Sequence, residues 1–193
     1  MKEGLEMYGA IREIWDWLKV LVIVAVIVVL VRVFLFGNYE VHGESMMPNV
    51  EDGDRLIINK IGYQIGEPDR FDVIVMHAPD NSDFVKRIIG LPGDEIVYDE
   101  DTLYVNGEAV EEDFLELEEH AEQNNFPYTS DFTLDEIPGG EETVPDNYYF
   151  VLGDNRGNSQ DSRNFGFVPE EDIVGEVSFR YWPLGEFSWI NDH

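Results

Sequence analysis

The chain has no cysteine, and this absence excludes two kinds of chemistry. Neither a disulfide nor a thiol nucleophile can contribute to its folding or to its activity. A zinc site is also poorly supported, because the four histidines show no ligand spacing: His42, His77, His120 and His193. We therefore expect a protein that works without a metal and without any other cofactor.

Basic residues are scarce: 12 Lys and Arg stand against 41 Asp and Glu, for a net charge of −29. Four of the bases and four of the acids lie at or before Arg32, which leaves eight bases and 37 acids beyond it. The negative potential repels nucleic acid and anionic lipid, so we expect no nucleic-acid partner. High external salt would screen the self-repulsion. The composition thus favours an extracytoplasmic protein of a halophile, with an alkaliphile as the alternative.

Lysine is rarer still, because only Lys60 and Lys86 occur in the acidic portion. Lys86 belongs to a strand-like segment in which it shares a face with Phe84 and Ile88. Arg87 has equally apolar neighbours, so alternation does not choose between the two, but a guanidinium cannot be deprotonated. An amine on an apolar face becomes a base only if its pKa lies about 3 to 5 below its ordinary value of ~10.4. Lys86 is the candidate base, and Lys60 is interpreted as a solvated side chain.

One apolar run, from Leu18 to Phe36, is long enough to span a bilayer, and its two charged residues, Lys19 and Arg32, lie near its two ends. We interpret it as a transmembrane helix rather than a cleaved signal peptide, because no small-x-small cleavage site follows it. The predicted organisation is an N-terminal cytoplasmic segment over residues 1–17, the membrane helix over 18–36, and one folded domain over 37–193.

Beyond this run, short β-rich segments separated by turn signals predict a mostly-β domain. The expected strands are Asn38–Gly43, Arg55–Asn59, Phe71–His77, Phe84–Ile89, Glu95–Tyr98, Thr102–Val105, Tyr148–Leu152 and Ile173–Trp182. Residues 111–147 are acidic and poor in alternation, and we expect an inserted subdomain or cap there, with a short helix over Phe114–Glu122.

Four motifs follow one another along the chain and carry a resemblance. They are Ser45-Met46-Met47-Pro48, Gly53-Asp54-Arg55-Leu56, the run Lys86 to Asp94, and the run Gly153 to Arg163. Together they resemble bacterial type I signal peptidase, in that family's order, from the anchor to about Pro183. With Gly43 and one predicted anchor, the chain resembles the shorter Gram-positive members of the family, which have one anchor rather than two.

The resemblance implies a membrane-bound serine endopeptidase with a Ser/Lys dyad, in which Ser45 is the nucleophile and Lys86 the base. It implies that signal peptides are removed from secreted preproteins after small residues at positions −3 and −1. The catalytic domain would face the outside of the cell membrane on a single-pass anchor, in contact with lipid and near the export machinery.

Further roles are implied by the same resemblance. Ser159 would hydrogen-bond Lys86 and orient it, while Asp161 and Arg163 would pair and hold their loop beside the dyad. Some members carry a serine at the position of Gly43, whose hydroxyl helps to form the oxyanion hole. With glycine there, the hole would rely on backbone N–H groups, including that of Ser45. Asn49 also departs from the family, which usually has threonine after the proline.

Substrate contacts are predicted from strand alternation. A strand entering Ser45 would place Tyr39, Val41 and Gly43 on the face of the nucleophile, beside an extended substrate. The resemblance implies that this strand and the one before the lysine grip the substrate, and the predicted contacts are Val41, Gly43, Phe84 and Val85. An ordinary core role for these residues remains open.

Two other functions remain open at this point. One is a non-catalytic, membrane-anchored acidic binding or assembly module in which the serine and the lysine are structural. The other keeps the dyad but changes its target, as in self-cleaving repressors, although this chain has an anchor in place of a DNA-binding domain.

Overall fold

The computed structural model of the chain describes residues 13, 15–29, 36–79, 82–117, 120 and 126–190. Two compact units can be distinguished, Met1–Gly37 and Asn38–His193. In the first, residues 15–29 are helical and their apolar side chains are exposed. Residues 30–35 of the predicted membrane span lie outside the described residues, and Phe36 begins a strand instead of ending a helix. Among the described residues, no helix is long and apolar enough to cross a bilayer.

Twelve strands occur among the described residues from Phe36 onward. In chain order they are β1 Phe36–Glu40, β2 Arg55–Asn59, β3 Val73–His77, β4 Asp83–Gly90, β5 Ile96–Asp99, β6 Thr102–Val105, β7 Glu108–Val110, β8 Phe132–Thr133, β9 Tyr148–Leu152, β10 Val168–Pro169, β11 Ile173–Trp182 and β12 Ser188–Trp189. The predicted mostly-β class is confirmed.

The strands form two sheets. The larger has the order β1-β2-β11-β3-β4-β9-β10, with β12 paired to β11, and the smaller has the order β7-β6-β5-β8. Short helices cover Gly62–Ile65 and Ser162–Phe165, and 3-10 turns cover Leu134–Glu136, Arg156–Asn158, Glu170–Asp172 and Leu184–Glu186.

Strand β4 lies inside the larger sheet, between β3 and β9, and its two faces meet different cores. Val85 packs into one cluster with Val41, while Phe84 and Ile88 pack against another. The predicted alternation therefore holds along β4, and it directs Lys86 to the face of Phe84 and Ile88. Because both faces of β4 are covered, the position of Lys86 makes its amine costly to charge.

The fold departs from the sequence prediction at the strand before Ser45. That strand ends at Glu40 instead of Gly43, and Gly43 has a φ of +95° that an extended strand does not use. The segment 111–147 contributes a strand, β8, and places Leu134 and Val144 in the same core as β5 and β6. In the helix predicted over Phe114–Glu122, residues 117 and 120 are helical, and residues 118–119 and 121–122 lie outside the described residues.

Candidate active site

Ser45 lies at the start of a turn whose next residues are anchored in the core. Met46 and Val50 are almost completely buried, and the Val50 N–H donates to the Met46 carbonyl at 2.9 Å. Upstream, the Val41 N–H donates to the Asp54 carbonyl at 2.8 Å, which ties the chain to β2 after β1 has ended. The half-buried Ser45 is thus held from both sides while its hydroxyl remains at the surface of a cleft.

Strand β4 brings Lys86 to this serine from a distant part of the chain. The Lys86 Nζ donates a hydrogen bond to Ser45 Oγ at 2.7 Å. Lys86 is only 2% exposed, and its Nζ lies 5.0 Å from the centre of the Phe84 ring. The two residues singled out from the sequence, 41 positions apart, are therefore in direct contact.

Burial lowers the pKa of Lys86 from its ordinary value of 10.5 to about 8. Desolvation is the largest cause, because it disfavours the ammonium form. The carboxylates of Asp161 and Asp154 act in the opposite direction and raise this pKa, while the charge of Arg163 lowers it. The pKa decreases less than the sequence led us to expect, because the carboxylates of Asp161 and Asp154 oppose the effect of desolvation.

The dyad opens into a cleft of about 460 Å³. Its lining includes Ser45, Lys86 and all four residues predicted to contact substrate, Val41, Gly43, Phe84 and Val85. A larger cleft of about 560 Å³ surrounds Lys60 and Tyr63, but no serine lines it. Size alone therefore does not single out the cleft beside Ser45, whereas the contact between a serine and a buried amine does distinguish it.

The loop 153–163 lies directly against Ser45. A Cβ added to Gly153 would collide with both the Ser45 carbonyl oxygen and Ser159 Oγ, so only glycine permits this approach. Asp161 and Arg163 form the predicted pair, with Arg163 Nε 2.9 Å from Asp161 Oδ1 and Nη2 2.8 Å from Oδ2. Asp161 also accepts from the Gly153 N–H at 3.1 Å, which braces the start of the loop.

Ser159 does not make the contact expected of it. Its Oγ is buried and has no hydrogen-bond partner among the described residues, so the predicted hydrogen bond to Lys86 is absent. The Lys86 amine instead points at Ser45. Ser159 nevertheless lies beside Ser45, because Ser159 Oγ and the Ser45 carbonyl oxygen both lie close to Gly153.

A buried ionic network near the dyad was missed by the sequence analysis. Arg87 binds Asp154 with both Nε and Nη2, at 2.9 and 2.7 Å, and its guanidinium lies 3.9 Å from the centre of the Phe114 ring. The Asn49 amide donates to Asp154 Oδ2 and to the Phe114 carbonyl, at 2.8 Å each. Asn49, where the family usually has threonine, therefore links the nucleophile's turn to this network. A buried arginine signals the need for a carboxylate, but nothing in the sequence says which of 41 acids supplies it.

The family model for signal peptidase, peptidase S26, matches residues 14–182. The chain belongs to this family. Signal peptidase I of Bacillus caldolyticus is 49% identical over 175 residues, which are 91% of this chain and 93% of the relative. Signal peptidase IB of Staphylococcus aureus strain MRSA252 is 41% identical over 181 residues, covering 92% of this chain and 94% of the relative.

A solved structure agrees with the family. The crystal structure of a signal peptidase I from Enterococcus faecalis V583 matches with a TM-score of 0.53 and 45% identity, over 58% of this chain and 97% of that one. As a member of peptidase S26, the chain is a serine endopeptidase. A non-catalytic binding module, the first alternative left open above, is not supported.

Proposed function

We propose that this peptidase removes signal peptides from preproteins with a Ser45–Lys86 dyad. The observation that carries the proposal is the 2.7 Å contact between Lys86 Nζ and Ser45 Oγ at a lysine that is 2% exposed. With a pKa of about 8, roughly a tenth of Lys86 is neutral at pH 7, which suffices for a base.

In the mechanism, neutral Lys86 takes the proton from Ser45 Oγ as that oxygen adds to the carbonyl carbon before the cut. The carbonyl oxygen becomes an oxyanion, which backbone donors including the Ser45 N–H stabilise. The protonated amine then gives its proton to the leaving nitrogen, and the peptide bond breaks to leave an acyl-enzyme. Neutral Lys86 next activates a water for deacylation, which frees Ser45.

Substrate selection would follow from the cleft. Val41 and Val85 are buried members of one core cluster that also line the cleft, so only short side chains can approach them. Phe84 and Gly43 line the cleft with them. An extended substrate laid along these residues would present alternate side chains to the protein, which agrees with small residues at −3 and −1. Asp161 and Arg163 would support the dyad from the loop 153–163, which Asp161 braces through the Gly153 N–H.

We place the enzyme in the cell membrane, with residues 18–36 as a single-pass anchor and the catalytic domain outside the cytoplasm. Support comes from the apolar sequence between Lys19 and Arg32 and from the helix over residues 15–29. Preproteins would reach the site from the membrane, so the enzyme would work in contact with lipid and near the export machinery.

The proposal is tested by incubating the detergent-solubilised chain with a preprotein and sequencing the new N-terminus. We expect one cut after a small residue with a second small residue at −3, and no cut with Ser45→Ala. Ser130→Ala is the matched control, because Ser130 is exposed and is not among the residues that line the cleft. Cleavage by Ser45→Ala at the wild-type rate would overturn the dyad, and Ser159 and Ser162 would be tested next.

A further inference from the structure

The peptide group that joins Glu44 to Ser45 is held at its carbonyl end by Asn155. The Asn155 Nδ2 donates to the Glu44 carbonyl oxygen at 3.0 Å. The N–H of this same peptide group belongs to Ser45. Because a trans peptide is planar, its C=O and N–H point in opposite directions, and fixing one fixes the other. The Asn155 side chain therefore sets the direction of the Ser45 N–H.

Asn155 also holds the next peptide group. Its own N–H donates to the Ser45 carbonyl oxygen at 3.0 Å. The two peptide groups on either side of the Ser45 Cα are thus clamped by one residue. Gly153 brings the loop close enough for this, since any Cβ there would collide with the Ser45 carbonyl. Little backbone rotation remains at the nucleophile.

The Ser45 N–H is the donor that this arrangement leaves available. None of the hydrogen bonds of the described residues uses it. The neighbouring Gly43 has no hydroxyl, and its N–H already donates to Asp52 Oδ1 at 2.8 Å. A carbonyl that accepts a hydrogen bond also polarises the N–H of its own peptide group. The Ser45 N–H is therefore both aimed and strengthened by Asn155.

We propose that Asn155 is a positioning residue that aims the Ser45 N–H at the oxyanion. The inference rests on the proposed function. Asn155 is not among the residues that line the cleft, and it makes no hydrogen bond to Lys86 in the described part of the chain. It acts on the transition state through the backbone of Glu44 and Ser45, so its loss should slow the chemical step without weakening substrate binding.

The test compares Asn155→Ala and Asn155→Asp with the wild type in cleavage of a signal-sequence peptide. Both variants keep the backbone N–H that binds the Ser45 carbonyl and lose only the Nδ2 donor; in Asn155→Asp a carboxylate oxygen faces the Glu44 carbonyl instead. Loss of a whole oxyanion donor lowers kcat by about 10²–10³. We expect a misaimed donor to lower kcat by about 10- to 100-fold, with KM within about twofold of wild type.

The affinity of a peptide aldehyde for the enzyme is a second measurement, which would not change if Asn155 had a purely structural role. The aldehyde adduct with Ser45 places an oxygen where the oxyanion forms, so this affinity should fall by the same factor as kcat. The limb of the pH profile near pH 8 should stay in place in Asn155→Ala; it is read in that variant only, because Asn155→Asp adds a negative charge that raises the pKa of Lys86. Asn38→Ala, which removes an exposed amide from β1, is the control. Asn155 has no such role if kcat or aldehyde affinity is unchanged in both variants. It also has no such role if, in Asn155→Ala, KM rises and the limb moves together with the fall in kcat.

The two proposals fail differently. If Ser45→Ala cleaves normally, the dyad itself is wrong. If Ser45→Ala is inactive while Asn155→Ala and Asn155→Asp cleave at the wild-type rate, the dyad stands and the role of Asn155 is refuted.

Discussion

Replacing Lys86 with arginine separates the charge of this residue from its ability to lose a proton. At pH 8 a lysine with a pKa of about 8 is about half neutral. An arginine at the same place, with a pKa above ~12, is neutral in about one molecule in 10⁴ or fewer. If the neutral base is required, kcat/KM of Lys86→Arg should fall by at least about 10⁴-fold.

The assay is cleavage of a preprotein or signal-sequence peptide between pH 6 and pH 10. Because the base must be unprotonated, kcat/KM of the wild type should rise with pH, by about fivefold from pH 7 to pH 8, and level off above about pH 9. This limb reports the pKa of Lys86 in the free enzyme. It lies well below the ordinary lysine value of 10.5, since burial lowers the pKa.

Lys60→Arg is the matched control, because it makes the same exchange at the only other lysine beyond Arg32. It should cleave at the wild-type rate. Lys86→Met, which keeps an unbranched apolar stem, covers the case in which the larger guanidinium disturbs the core. Cleavage by both Lys86 variants within tenfold of wild type would show that Lys86 is not the base, and the serine–lysine mechanism would be wrong.

Two further perturbations test the surroundings of the site. Gly153→Ala should abolish cleavage in a protein that still binds the peptide, because the new Cβ collides with the Ser45 carbonyl and Ser159 Oγ. The control is Gly185→Ala, whose new Cβ meets no atom within 4 Å, and this variant should cleave at the wild-type rate. Normal cleavage by Gly153→Ala would contradict the close approach of the loop. The melting temperature should rise from low to molar salt, since eight bases face 37 acids beyond Arg32 and salt screens their repulsion. A melting temperature that stays level or falls across this range would remove the halophile explanation.

The sequence predicted the parts of the fold in which local pattern and tertiary structure agree. Arg55–Asn59, Thr102–Val105, Tyr148–Leu152 and Ile173–Trp182 are strands with the predicted bounds. Alternation also placed Lys86 on the correct face of β4, and the chemistry of the two side chains then favoured lysine over Arg87 as base. These predictions depend only on the residues next to each other along the chain or on the chemistry of a single side chain.

Predictions failed where the backbone leaves regular structure. Extending β1 to Gly43 was wrong, since the positive φ of that glycine turns the chain before Ser45. The contact of Ser159 with Lys86 was wrong because Ser159 lies in an irregular loop, where no periodicity tells which way a side chain points. The clamp of Asn155 on Glu44 spans 111 positions and joins two turns, so no local pattern could have predicted it.

The different roles of arginine and lysine explain how Lys86 keeps a lowered pKa in so acidic a protein. All six arginines beyond Arg32 form ion pairs: Arg55 with Glu40, Arg70 with Asp94, Arg87 with Asp154, Arg156 with Glu112, Arg163 with Asp161, and Arg180 with Asp54. Lys86 forms no ion pair with a described carboxylate, although Asp161 and Asp154 raise its pKa. Each of these two carboxylates is matched by a guanidinium that cannot lose its proton. Their net pull on the amine is therefore small enough for desolvation to prevail.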